Sequence, residues 1–263
     1  VYDFLGLALV GSTDTKADNP ETVRCEEEEI DYFLASLRSL LPRLDFGREQ
    51  IVYAYSGIRP LPASDASNPG LISRDHSAPV AEPAERRPFS VISLVGGKWT
   101  TFRGFAEEVA DTILARMGRT RRISTQMLPI GGGRDFPADD VARRDWVSGR
   151  SAKSGLPAAM VDTLLVRYGT TADAVLAHIG GEGGPAPLVH VDGYNRAEID
   201  WIARSEMVEH LADIVMRRTT LAIEGRLSIA GLDEIATVAA SALGWDERRR
   251  AEELAAVTEQ LTA

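Results

Sequence analysis

The chain has 263 residues, a formal net charge of −10, 44% hydrophobic and 26% charged residues, and one cysteine, Cys25. That allows one large domain or two modest ones with a sizeable core, in the composition of a soluble globular protein. The acidic balance argues against nucleic acid as the main partner, a lone cysteine excludes an intrachain disulfide framework or a cysteine metal cluster, and no apolar run reaches the roughly 20 residues of a membrane-spanning helix.

No basic-then-apolar leader opens the chain, and Val1 starts it in mid-pattern, so the sequence reads as a piece of something longer. Phe4 to Thr13 (FLGLALVGST) predicts a short apolar strand ending in a turn at Asp14. Glu26 to Leu41 predicts a helix: Glu26 to Glu29 place acid at its N-terminal dipole, Ile30, Phe33, Leu34, Leu37 and Leu41 form its apolar stripe, and Pro42 stops it. Gln50 to Tyr55 is a second strand candidate, rich in β-branched and aromatic residues. Residues 62 to 88, rich in Pro, Ser, Asp and Ala, predict a surface excursion with little regular structure.

An apolar run from Phe89 to Val95 then ends in Gly96-Gly97, followed by Lys98 and a predicted helix from Thr100 to Met117. A strand feeding a glycine turn and a helix start lets a ligand approach bare backbone. It also presents free N–H groups with a positive dipole, to which Lys98 adds a full charge. The competing reading is a plain strand-turn-helix whose glycines relieve strain. Upstream, YSGIRPLPASD (55–65) sets Arg59 before a direction-fixing proline, and LISRDH (71–76) presents Arg74 with Asp75 and His76. Arginine forks suit bidentate binding of phosphate or carboxylate, so Arg59, Arg74 and Lys98 would make a small anion pocket. Ordinary surface ion pairing is the alternative for both arginines.

Pro129 and Gly131 to Gly133 read as a linker, since these glycines lack the Lys-Ser/Thr ending of a phosphate loop. Beyond them, helical periodicity recurs in Leu156 to Tyr168, Arg196 to Ala222, Leu232 to Leu243 and Asp246 to Leu261, punctuated by glycines. No repeat period and no metal-ligand set is visible.

In this order, GSTDT (11–15), YSGIRPL (55–61), LISRDH (71–76), SVISLVGGKWTTFR (90–103), LPIGGG (128–133), ARSEMVEHLADIVMRRT (203–219) and ALGWDERRRAEE (242–253) resemble the FAD-dependent glycerol-3-phosphate dehydrogenases, in their C-terminal half only. The family's N-terminal GxGxxG is nowhere in these residues. The resemblance implies an α/β (α+β) remnant of an FAD- and substrate-binding domain over 1–127, followed by an all-α C-terminal domain over 128–263. It implies oxidation of sn-glycerol 3-phosphate to dihydroxyacetone phosphate, with hydride passing to FAD and electrons leaving to a quinone. An oxidase using oxygen, and a truncated chain whose helical domain is only an interaction module, are the alternatives.

Position by position, the resemblance puts Arg59 and Arg74 on the substrate phosphate and Lys98 between substrate and flavin. Gly96, Gly97, Lys98, Trp99 and Thr100 fall at the flavin's polar edge, with the side chains of Trp99 and Phe102 read as packing. His76 beside Asp75 reads as a hydrogen-bond partner, and no catalytic base is placed. Family members dock peripherally on membranes, which would put the chain in the cytoplasm or on the inner face of the cytoplasmic membrane. The basic run Arg116 to Arg122 is a candidate docking segment. Strands 4–13 and 89–95 would belong to a sheet whose other members lie in the missing N-terminal half, so a homodimer covering their edges is an expectation. Alone, the 263 residues are expected to be colourless and inactive.

Overall fold

The computed structural model describes residues 1–17, 19, 23–58, 72–73, 75–96 and 98–262. They divide into two compact units, one formed by 1–9, 32–54 and 129–263, the other by 10–31 and 55–128.

In the first unit the predicted strand over 4–13 is instead a hairpin. β1 (Tyr2–Phe4) pairs antiparallel with β2 (Leu7–Leu9), Phe4 opposite Leu7. The two residues between them, Leu5 and Gly6, both have positive φ (56° and 80°), the backbone that a two-residue hairpin turn requires. The helix expected over 26–41 is α1 (Glu27–Leu40), with Glu27, Glu28 and Glu29 in its first turn and Leu34 buried. The strand expected over 50–55 is absent, and residues 51–58 form irregular chain.

From residue 140 the first unit is helical: α3 (Asp140–Ser154), α4 (Ala158–Tyr168), α5 (Ala172–Gly181), α6 (Arg196–Ser205), α7 (Ile229–Leu243) and α8 (Glu247–Thr262). Side chains of Asp139, Asn195 and Ser228 accept backbone N–H bonds at the starts of α3, α6 and α7, satisfying donors that a helix end leaves open. Periodic apolar faces meet in one core, whose centre includes Leu164, Ile179, Ile199, Ile202, Ile214 and Ile235. The predicted continuous helix over 196–222 is broken. Met207 takes a left-handed backbone (φ 54°), and the chain resumes as a π-helical turn over Asp213–Arg218.

The predicted linker glycines lie just past the unit boundary at Leu128/Pro129 and are packed against the helical part. A Cβ on Gly132 would lie 2.0 Å from the Tyr168 carbonyl oxygen, and one on Gly169 2.4 Å from that of Gly132, so the two backbones touch where only glycine fits. Thr170 Oγ1 donates to the carbonyls of Gly132 (3.0 Å) and Arg134 (2.7 Å), fastening the segment to the junction of α4 and α5.

In the second unit, β3 (Val80–Ala81) pairs antiparallel with β4 (Val91–Ile92), and α2 (Phe102–Arg116) follows. The chain is thus a mixed N-terminal part with two small hairpins, followed by an all-helical part.

Candidate active-site turn

The β3–β4 ladder positions the glycine turn. Val80 faces Ile92 and Ala81 faces Val91. Ser77 and Val95 exchange backbone bonds of 3.1 and 2.9 Å in the same register. The strand expected over 89–95 therefore has only Val91–Ile92 and an isolated bridge at Val95 in regular pairing. This ladder brings the end of the LISRDH segment to the glycine turn. Gly96 has φ +64°, and a Cβ there would lie 3.6 Å from the Asp75 carbonyl oxygen. Lys98 Nζ stands 3.9 Å from Asp75 Oδ1, with both side chains well solvated, so the pair is weak and the ammonium stays accessible.

Lys98 also heads a short 3₁₀ turn over Trp99–Thr101, whose Thr101 N–H and Oγ1 both donate to the Lys98 carbonyl at 3.0 Å. α2 continues from that turn with its positive end toward Lys98, a setting that favours a negative ligand group. Thr100 is exposed and Trp99 is 93% exposed. Trp99 and Phe102 are thus not packing residues: the buried face of α2 begins at Phe105 and continues at Val109, and both earlier aromatics face solvent. Arg59, Arg74 and Gly97 lie outside the described residues.

His76 finds its partner across the unit and not at Asp75. Its ring stacks on Phe105 (4.4 Å between centroids) and its Nε2 lies 3.1 Å from Glu108 Oε2. The sequence distance of 32 residues hid this contact. Further along α2, Glu107 accepts from Ser124 Oγ (2.9 Å), Thr125 Oγ1 (2.8 Å) and the Thr125 N–H, and pairs with Arg121 (2.8 Å). The Thr125 N–H and hydroxyl, ahead of Ser124 and Arg121, hold its carboxyl down to about 2. Arg103 donates to the carbonyls of Thr125 and Leu128 (2.9 Å to the latter), so the segment after α2 is bolted back onto the helix.

Residues 123–250 match the family described as the C-terminal domain of alpha-glycerophosphate oxidase. Similar proteins extend over most of the chain. A glycerol-3-phosphate dehydrogenase of Synechocystis sp. is 27% identical over 257 residues, covering 95% of this chain and 44% of the relative. The mitochondrial glycerol-3-phosphate dehydrogenase of Arabidopsis thaliana is 27% identical over 263 residues, covering 95% and 41%. Glycerol-3-phosphate dehydrogenase 2 of Mycobacterium tuberculosis is 30% identical over 249 residues, covering 90% and 39%. A crystal structure of the glycerol-3-phosphate dehydrogenase of Bacillus halodurans, complexed with FAD, matches with a TM-score of 0.74 at 23% identity, over 95% of this chain and 47% of that one. The chain is homologous to the C-terminal region of these dehydrogenases and spans less than half their length.

Within the matched residues, Arg217 of ARSEMVEHLADIVMRRT and Asp246 of ALGWDERRRAEE have structural partners. Arg217 pairs with Asp213 at 2.9 Å, while Asp246 accepts the Arg249 N–H at 2.7 Å at the start of α8. At the domain's centre Glu198, buried at 2% exposure, accepts from Arg167 Nη1 (2.8 Å) and Tyr168 Oη (2.9 Å). Burial pushes its carboxyl up against the opposing pull of Arg167 and Tyr168. The Arg167 guanidinium also covers the Tyr194 ring at 3.7 Å.

Proposed function

We propose that this chain is the C-terminal part of a flavoenzyme that oxidises sn-glycerol 3-phosphate to dihydroxyacetone phosphate. The observation that carries this reading is the ladder that sets Asp75 beside Gly96 and Lys98, just ahead of α2, in a chain homologous to glycerol-3-phosphate dehydrogenases over 95% of its length. The described residues fit one edge of a flavin and no more. Gly96 leaves the backbone bare, the end of α2 offers positive dipole, and Lys98 offers a solvated ammonium. The GxGxxG turn that would hold the pyrophosphate is not in the sequence. FAD, when bound, supplies the two-electron acceptor. In this reading Lys98 attracts the substrate and stabilises charge at the flavin edge, and Arg59 and Arg74 grip the substrate phosphate. The residues of the turn thereby fix the substrate carbinol near the acceptor.

A quinone is the proposed final acceptor, with oxygen as the alternative in the family named for an oxidase. Among the described residues no helix is long and apolar enough to cross a membrane, and the proposed membrane association is peripheral, at the inner face of the cytoplasmic membrane. The segment after α2 supports it: Met117, Ile123 and Met127 are 60%, 80% and 87% exposed among Arg119 and Arg122. The homodimer remains part of the proposal through the short, open-edged β3–β4 pair. The test is two preparations: the 263-residue chain alone, and the same chain fused behind the FAD-binding portion of a relative. The first is expected to be colourless and inactive, and the second yellow and active in glycerol 3-phosphate-dependent dye reduction. Flavin and activity in the first, or a yellow but substrate-blind second, would contradict the reading. Peroxide formation by the fusion decides for oxygen.

A further inference from the structure

Away from the glycine turn, α5 and α6 bring together three metal-ligating side chains. His178 and Glu182 are four residues apart at the C-terminal end of α5, which puts them on one face. Asp200 comes from α6, which packs against α5. One donor atom from each of the three lies within 4.8 Å of the other two, and His178 Nε2 is 2.8 Å from Asp200 Oδ2. Beneath them Val175, Ile179, Ile199 and Ile202 are completely buried, so the donors stand on rigid helices. The side chains of His178 and Asp200 are 22% and 15% exposed, whereas Glu182 is open to solvent. Two sheltered donors thus stand beside one that is open to solvent.

We propose that His178, Glu182 and Asp200 bind one divalent transition-metal ion of the Zn²⁺ class, cross-linking α5 to α6. One imidazole with two carboxylates is the mixed donor set that suits Zn²⁺, Co²⁺ or Ni²⁺ better than the all-oxygen shells of Mg²⁺ or Ca²⁺. Two donors at metal-bond distance from one ion sit about 3 Å apart at right angles and about 4 Å apart across it. The three donors lie within 4.8 Å of one another, and the exposed Glu182 is the one that must close on the ion. Arg204 is a built-in competitor: its Nε donates to the same Asp200 Oδ2 at 2.9 Å, and Glu182 also lies within its electrostatic reach. An entering ion must release this guanidinium, so Arg204 sets the affinity without being a ligand.

The test is titration of tag-free, chelator-stripped chain 1–263 with Zn²⁺ by calorimetry and with Co²⁺ by visible absorption. One ion per chain at micromolar affinity is expected, with a higher melting temperature when zinc is added. E182Q alters an exposed side chain and is expected to weaken binding about tenfold or more, while H178A abolishes both the binding and the thermal shift. R204Q, which leaves all three ligands in place, is expected to tighten binding several-fold. Absence of binding, equal affinity in wild type and E182Q, or R204Q binding no tighter than wild type would each overturn the proposal.

Discussion

Glu107 shows how one half-buried carboxylate can organise a loop. Its four donors come from Arg121, Ser124 and Thr125, all on the segment that leaves α2, and they hold its carboxyl from the ordinary 4.5 down to about 2. A lowered value means that the stabilisation is complete above the ordinary value and is lost as pH falls from 4.5 through about 2. The Thr125 amide should therefore keep its hydrogen-exchange protection at pH 5 and lose it progressively below 4.5. E107Q should lack that acid dependence. An unchanged profile in the variant would contradict the assignment. Glu198 is the opposite case, a buried carboxylate that satisfies an arginine and a tyrosine at once. E198A strands the Arg167 charge beneath the Tyr194 ring, and chemical denaturation should show a loss of about 3 kcal/mol.

At the scale of elements, the strongest constraint is the backbone contact between Gly132 and Gly169. Both Cβ positions collide with carbonyl groups, which cannot swing aside as side-chain tips can. Either Gly→Ala change should lower stability by about 2 kcal/mol or more, against about 1 kcal/mol for D139A, which removes only the cap of α3. Equal losses would mean that the segment over 131–133 is not packed as described.

Legibility in the sequence follows from the range of the interactions. Helices α1, α4, α7 and α8 could be read within a few residues of their ends, because a 3.6-residue stripe and local caps are written in consecutive residues. The hairpin at Leu5-Gly6 could not, since an unbroken apolar run hides a turn that tertiary context imposes on a leucine. The break at Met207 has neither Gly nor Pro to announce it. The left-handed backbone at Gly96 and the helix start after Lys98 could be read from the glycine-lysine order. The partnership of His76 with Glu108 on α2, and the gathering of His178, Glu182 and Asp200, depend on contacts between separate elements that no local pattern encodes.

At the scale of the whole molecule, the chain places Gly96 and Lys98 ahead of α2, continues into a helical part, and spans less than half the length of its relatives. The proposed peripheral association predicts that chain 1–263 cosediments with anionic vesicles at low salt, and that I123D/M127D abolishes this without changing the circular dichroism. Cosedimentation unaffected by the double substitution would place the docking face elsewhere. The central claim, that the Lys98 turn serves glycerol 3-phosphate oxidation at a flavin, is tested most directly by anaerobic stopped-flow mixing of the yellow fusion protein with glycerol 3-phosphate. The account predicts rapid bleaching of the flavin absorbance, slowed about 100-fold or more by K98M, which is the scale of removing one charge-stabilising group. Bleaching at an unchanged rate in K98M, or none with glycerol 3-phosphate while dithionite still bleaches the flavin, would contradict it.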